Sequence, residues 1–188
     1  MIRSVLPLFA AAIALSAPAL ATEILPVSHF NSVELRGGGM VTLVPGSTER
    51  VTILEGSSQI TALHVEREGQ LVIDTCKGDC PHSYRLSVEI QAPRVPDLGV
   101  SGGGRIVVSD GFASQRQLSA AVNGGGLVDA RAVEAGNVSA AVNGGGELLV
   151  RARGVLSGAV NGGGHVRYWG SPQVTTAIEG GGSVRPGY

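Results

Sequence analysis

The chain has 188 residues, a formal net charge of −1 and 29 glycines. Its 14 basic and 15 acidic residues form no basic patch interleaved with aromatic residues, so we do not expect nucleic acid as a partner. Beyond residue 21 no segment has the run of about 20 apolar residues that a transmembrane helix needs, so we do not expect a membrane-spanning protein.

Residues 1–21 have the pattern of a secretory signal peptide. Arg3 supplies a positive start, residues 6–15 form a short apolar stretch, and Ala-Leu-Ala at 19–21 matches a cleavage site. The sequence therefore predicts export to the periplasm, the outer surface or the medium. We expect residues 22–188 to form one domain, with N-terminal rungs and a cap in residues 22–93 and glycine-triplet repeats in residues 94–188.

The first part of the predicted domain contains strands of irregular length. Alternating apolar residues between turn signals predict strands at 31–35, 40–44, 50–54, 60–66, 71–74 and 84–91. Because the open end of a repeat array exposes unpaired strand edges, we expect this region to form the first rungs and to cover that end.

Two cysteines, Cys76 and Cys80, lie in the sequence Cys-Lys-Gly-Asp-Cys-Pro-His. In an exported protein this pair predicts a disulfide. A metal site that also uses Asp79 and His82 is the alternative, but its spacing is loose and no second ligand cluster accompanies it. We therefore favour the disulfide and expect no cofactor.

A glycine triplet recurs in the second part of the chain at intervals of 22, 20, 18 and 18 residues. A period near 20 indicates a repeat architecture. The residues two, four and six places before each triplet are apolar or small, and the second residue after it is aliphatic, as in strands that face one interior. The pattern predicts an all-β parallel β-helix, a solenoid of stacked rungs with a less regular N-terminal β region. The five triplets begin at Gly102, Gly124, Gly144, Gly162 and Gly180.

The triplets and the residues before them predict a structural corner ladder. Each glycine costs roughly 0.5 to 1 kcal/mol relative to alanine, so the corner must require glycine through a positive φ or close backbone stacking. Asn123, Asn143 and Asn161 precede three successive corners and should lie above one another, where their amides can form hydrogen bonds.

The repeats contain no recurrent catalytic or calcium-binding residues. Acids and histidines do not recur at equivalent positions. When the earlier triplet at residues 37–39 is included, only one of the six residues that follow a triplet is acidic. Tyr168 should point inward by alternation from Val166, which leaves Trp169 alone as a stacking surface for a sugar. We therefore predict a non-enzyme without catalytic or metal-binding residues. The outward positions that recur are small and neutral, and form the candidate binding face: Ser119, Ala121, Ser139, Ala141, Ser157 and Ala159.

The repeated Val-Asn-Gly-Gly-Gly-x-Val units resemble the bacterial family called "putative auto-transporter adhesin, head GIN domain". The similarity extends from the opening strand pair at Phe30 to Val184, although Gly-Gly-Gly replaces the Gly-Ser-Gly that is commoner in the family. The resemblance implies a right-handed parallel β-helix in an exported, adhesin-like protein. It implies no catalytic residues.

Three functional hypotheses follow from these observations. The first is a non-enzymatic envelope protein that presents a flat face to an envelope protein or a glycan. The second is a self-associating structural module, a homo-oligomer that uses the last rung or the same face. The third is a carbohydrate-active enzyme, which the architecture permits but the residue inventory does not favour.

Overall fold

The computed structural model describes residues 22–188, which contain strands and no helix. The predicted signal peptide lies outside the described residues. The strands are β1 (Glu23–Leu25), β2 (Ser32–Gly37), β3 (Met40–Pro45), β4 (Arg50–Glu55), β5 (Ala62–Val65), β6 (Gln70–Asp74), β7 (Ser87–Ala92), β8 (Asp97–Gly102), β9 (Arg105–Val108), β10 (Gln115–Gly124), β11 (Leu127–Gly144), β12 (Glu147–Gly162), β13 (His165–Trp169), β14 (Gln173–Glu179) and β15 (Ser183–Pro186).

All the described strands join one mixed sheet that curls strongly, so that its parallel ladders form two walls. The first wall runs through β6, β2, β8, β10, residues 137–144 of β11, residues 155–161 of β12 and β14. The second wall runs through β7, β3, β9, residues 127–130 of β11, residues 147–151 of β12, β13 and β15. Because β11 and β12 contribute to both walls, the chain passes from one wall to the other in each repeat.

Antiparallel pairing occurs only near the N-terminal end of the described sheet. Strand β4 pairs with β7, β1 pairs with β4, and β5 pairs with β6 in this direction. All six strands predicted in residues 31–91 are present, but the predicted strand at 60–66 begins later, at Ala62. The reason is a turn, in which the Thr61 amide donates a hydrogen bond to the Ser57 carbonyl at 2.9 Å. Strand β1 was not predicted.

The hydrophobic core lies between the two walls, as the alternating pattern predicts. In the first wall its rows are in register across β10, β11 and β12. In the second wall the aliphatic residues after the triplets are fully buried, except Val184 after the last triplet, which is partly buried. The core rows are Leu118, Val138 and Leu156; Ala120, Ala140 and Gly158; Val122, Val142 and Val160; and Val128, Leu148 and Val166. The last copy differs, because Val174 and Ile178 of β14 are 38% and 45% exposed.

The two cysteines form the predicted disulfide. Cys76 and Cys80 are bonded, with their Cα atoms 5.6 Å apart, in the connection between β6 and β7. Both residues lie outside the buried core, so the disulfide closes a surface loop.

Candidate binding face

The six residues of the candidate binding face lie side by side on the first wall. Ser119, Ser139 and Ser157 are register partners across β10, β11 and β12, and so are Ala121, Ala141 and Ala159. The three asparagines before the corners form a third row in the same strands. All nine side chains are exposed, whereas the residues between them in sequence are buried. We call this surface of nine residues the repeat face: Ser119, Ser139, Ser157, Ala121, Ala141, Ala159, Asn123, Asn143 and Asn161.

The repeat face is flat, regular and uncharged. Neighbouring strands in a sheet are about 4.8 Å apart, and residues two positions apart along a strand are separated by about 6.7 Å. The face therefore presents a grid in which hydroxyls, methyl groups and amides repeat with these two spacings. None of its side chains titrates, so it offers directional hydrogen bonds and close approach without a local charge.

A cleft of about 450 Å³ borders the serine row. Asp97 lies at one side, where its Oδ1 accepts a hydrogen bond from the Ser119 amide at 3.0 Å. Asn137 and Val155 also line the cleft, and the Val155 side chain is 42% exposed. The cleft thus combines hydroxyls with a carboxylate, an amide and an apolar surface. Sequence reasoning missed it because Asn137 and Val155 share a repeat position but differ in chemistry, and Asp97 stands where β10, β11 and β12 have serine.

The repeat face continues onto the N-terminal strands through Glu34. Gly99 and Ser101 of β8 pair with Ala121 and Asn123, and on their other side they pair with Glu34 and Arg36. The Glu34 carboxylate accepts hydrogen bonds from the Arg36 guanidinium at 2.7 Å and from the Ser101 hydroxyl at 2.8 Å. The hydrogen bond from Arg36 lowers the pKa of Glu34 most; burial opposes it, and Ser101 adds to the decrease. A charged network therefore begins where the neutral face ends.

The glycine corners form one border of the repeat face. Successive corners are joined by backbone hydrogen bonds; the Gly145 amide, for example, donates to the Gly124 carbonyl at 3.0 Å. Gly144 has a φ of 113°, and a Cβ there would lie 2.8 Å from the Gly124 carbonyl oxygen. A Cβ on Gly146 would collide with Val122 Cγ1 and lie 2.6 Å from the Gly126 carbonyl oxygen. Both expected reasons for glycine are thus present: Gly144 combines a positive φ with close backbone stacking, whereas Gly146 has close contacts alone.

The middle glycine of the triplet does not fit the expectation that the corner requires glycine throughout. A Cβ on Gly145 would meet no heavy atom within 4 Å, and the residue does not have a left-handed φ. The same is true of the middle glycine in each of the other triplets, including the first, which begins at Gly37. The corner therefore requires two glycines for every three that the sequence supplies.

The outer surface of the second wall carries charged and aromatic residues. The Arg131 guanidinium donates hydrogen bonds to Asp129 at 2.9 and 2.6 Å and lies 5.0 Å from the centre of the Trp169 ring. Burial acts to raise the pKa of Asp129, but the hydrogen bonds and charge of Arg131 lower it more, so the net shift is downward. Tyr168 packs against the core, as predicted, whereas Trp169 is covered in part by Arg131 and is not a free stacking surface.

Two properties of the described residues bear on other classes of function. Residues 22–188 contain no group of three or more histidine, cysteine, aspartate or glutamate side chains that could hold a metal ion. In the same residues no helix is long and apolar enough to span a membrane.

The fold and the repeat face define a class of all-β repeat protein that carries a neutral, repetitive surface on one wall. Within this class, residues 114–172 match the family model described as "Putative auto-transporter adhesin, head GIN domain". The resemblance seen in the sequence is thus confirmed for the segment that carries the whole repeat face. A comparison with curated protein sequences gave no match.

Solved structures from several bacteria match most of this chain. A putative adhesin from Bacteroides fragilis has a TM-score of 0.56 and 16% identity, with 90% of this chain and 98% of that chain covered. A putative adhesin from Parabacteroides distasonis has a TM-score of 0.42 and 18% identity, with 89% and 96% covered. A putative cell adhesion protein from Clostridium sporogenes has a TM-score of 0.38 and 13% identity, with 88% and 98% covered. At this identity the Bacteroides fragilis protein shows a shared fold and not a shared ligand.

Proposed function

We propose that this chain is a non-enzymatic, exported cell-envelope protein that binds a protein or a glycan through the repeat face. The observation that carries the proposal is the exposed, in-register array of small neutral side chains on β10, β11 and β12. The adhesin description of the family that matches this segment, and of the similar Bacteroides fragilis protein, agrees with a binding role.

Such a face would bind by adding many similar weak contacts. Each rung offers one hydroxyl, one methyl group and one amide, and the methyl row lets a partner approach closely between the two polar rows. A partner with regularly spaced polar groups, such as a polysaccharide or an extended polypeptide, would use several rungs at once. The bordering cleft, with Asp97 and Val155, supplies the charge and apolar surface that would orient the partner.

The absence of titratable side chains on the repeat face is the reason to prefer binding over catalysis there. Hydrolysis of a glycosidic bond requires two carboxyl groups on opposite sides of the scissile bond. The face has none, and Asp97 contributes a single carboxylate to the cleft. A carbohydrate-active enzyme is accordingly the less favoured function.

The proposal also covers the handedness of the fold, its division into cap and repeats, and the export of the chain. We infer that the curled sheet is a right-handed parallel β-helix, supported by the two parallel walls and by the passage of the chain between them in each repeat. Residues 22–93 would form its first rungs and cap, and residues 94–188 its repeats. Residues 1–21 would direct export. A crystal structure would test the handedness, and N-terminal sequencing of the exported protein would test the cleavage after residue 21.

A binding experiment with one charged substitution tests the proposed face. Labelled protein is titrated onto intact cells, separated envelope fractions and a glycan panel. We expect saturable binding to one of them and at least a tenfold increase in Kd for Ala141→Glu, because the new carboxylate would be desolvated against the partner. Ala113→Glu is the matched control, since Ala113 is exposed in the connection between β9 and β10. Equal affinities for the wild type and Ala141→Glu would exclude the repeat face as the binding site.

A further inference from the structure

The last strand of the first wall has one unpaired edge. Strand β14 pairs with β12 on one side, and within residues 22–188 it has no partner on the other. All seven of its residues are exposed. Val174 and Ile178 continue the core rows of Leu156 and Val160, so two core positions face solvent at this end of the sheet.

This edge lacks the features that protect the other edges. The unpaired edge strands at the opposite end, β1 and β5, are only three and four residues long. Strand β15, the last of the second wall, is also four residues long and ends in Pro186, which has no amide to donate. Strand β14 has seven residues and contains no proline and no lysine. A long, flat and partly apolar edge of this kind is a template for pairing with another strand.

The sequence of β14 is complementary to itself in one antiparallel register. When Thr176 is opposite Thr176 of a second copy, all seven residues are paired. Val174 then faces Ile178 on the core side, and Gln173 faces Glu179 on the outer side. The first pair is apolar, and in the second the amide can donate to the carboxylate. The register sets no like charges opposite each other, and a shift of the centre by one residue in either direction leaves both Val174 and Ile178 without an apolar partner within the strand.

We propose that β14 pairs with β14 of a second copy of this chain and forms a two-fold symmetric dimer through the C-terminal ends of the two sheets. Antiparallel pairing about an axis through Thr176 keeps the core sides of both strands on the same side, so the two cores become continuous. The contact is isologous, because among the described strands only β14 offers a long open edge. It therefore closes at two copies and does not lead to a filament.

The dimer leaves the repeat face of each copy exposed, so it presents twice the area of this face. The face lies on the outward side of β10, β11 and β12, and the contact uses the free edge of β14. This inference is independent of the proposed function, because it rests on the edge of the sheet and not on the outward rows.

Sedimentation velocity of variants that introduce a charge into β14 tests the contact and its register. The protein is produced from residues 1–188 and measured between about 1 and 500 μM. We expect a monomer–dimer equilibrium for the wild type, and at least tenfold weaker association for Val174→Asp and for Ile178→Lys, because each variant sets an unpaired charge opposite an apolar side chain. Thr175→Gln, a neutral change on the outward side of the same strand, is the control and should dimerise like the wild type.

A mixture of the two core-side variants provides the decisive result. In a dimer of Val174→Asp with Ile178→Lys the new carboxylate faces the new ammonium group, while the other Val174–Ile178 pair stays apolar. We expect the association constant of the mixture to be at least tenfold higher than that of either variant alone. This recovery would also show that both variants are folded. A wild-type chain that stays monomeric at 500 μM, or a mixture that associates no better than its components, would overturn the proposal.

Discussion

The clearest energetic prediction of the structure concerns the three positions of one glycine triplet. Alanine at Gly144, Gly145 and Gly146 adds the same methyl group to three adjacent residues of one corner. At Gly144 the strain of a φ of 113° costs about 1–3 kcal/mol, and the approach to the Gly124 carbonyl oxygen costs about 1–3 kcal/mol more. At Gly146 the φ is not strained, and the collision with Val122 and the Gly126 carbonyl costs about 1–3 kcal/mol.

The middle position should respond in the opposite direction. Since a Cβ on Gly145 meets nothing within 4 Å, alanine there reduces the freedom of the unfolded chain at no cost to the folded one, a gain of about 0.4–1 kcal/mol. Gly145→Ser should likewise be tolerated. Serine is the residue commonly found at this position in the family that the sequence resembles.

Thermal unfolding followed by circular dichroism would separate the three variants. One kcal/mol corresponds to about 2–4 °C in a protein of this size. We therefore expect Tm to fall by at least about 5 °C for Gly144→Ala, to fall by a smaller amount for Gly146→Ala, and to rise by about 1–4 °C for Gly145→Ala. A Gly145→Ala variant that loses as much stability as Gly144→Ala would refute the assignment of separate roles to the three glycines.

Three further predictions concern single contacts elsewhere in the chain. Reduction of the Cys76–Cys80 disulfide, which closes a loop of five residues, should lower the free energy of unfolding by about 2 kcal/mol and leave the β-sheet circular dichroism unchanged; loss of the sheet signal would contradict this. Because Arg36 lowers the pKa of Glu34, the ionised carboxylate contributes stability above the ordinary glutamate range, and that contribution is lost as the pH falls through the lowered pKa. Glu34→Gln should therefore cost about 1 kcal/mol at pH 7 and progressively less as the pH falls below the ordinary glutamate range, and a cost in urea unfolding that does not decrease on acidification would contradict the assignment. Arg131→Ala should uncover Trp169, the only tryptophan of the chain, so its emission should shift to the red and be quenched more strongly by iodide; an unchanged spectrum would count against the stacked pair.

Strand alternation and the glycine corners made much of the fold predictable from sequence. The period-2 pattern places Leu118, Ala120 and Val122 in the core and Ser119 and Ala121 outside it, because successive side chains of a strand point to opposite faces. The recurrence of the same pattern at each triplet then predicts which residues become neighbours across strands. Alternation and recurrence together are sufficient to select the six residues of the candidate binding face.

Other features left no periodic signal. Arg131 and Trp169 follow their glycine triplets at the same distance, but the residue type at this position is not the same in every repeat, so their contact leaves no recurrent pattern. Strand β1 has three residues, too few for alternation to be recognised, and it is stabilised by antiparallel pairing with the distant β4. The antiparallel strands near the N-terminus depend on such long-range partners, and a local pattern carries no information about them.

The decrease in repeat length from 20 to 18 residues is absorbed in one place. Between β11 and β12 the register shifts on either side of the pair formed by Glu134 and Arg151, and it is restored at the pair Asn137–Val155, before the repeat face begins. Residues can therefore be gained or lost in this connection without displacing a single row of the face. An insertion there would change the outline of the second wall, near the Arg131–Trp169 pair, and leave the spacing of hydroxyls and amides unchanged. The chain can thus alter one flank in evolution, or accept an engineered loop, while the surface that we propose for binding stays as it is.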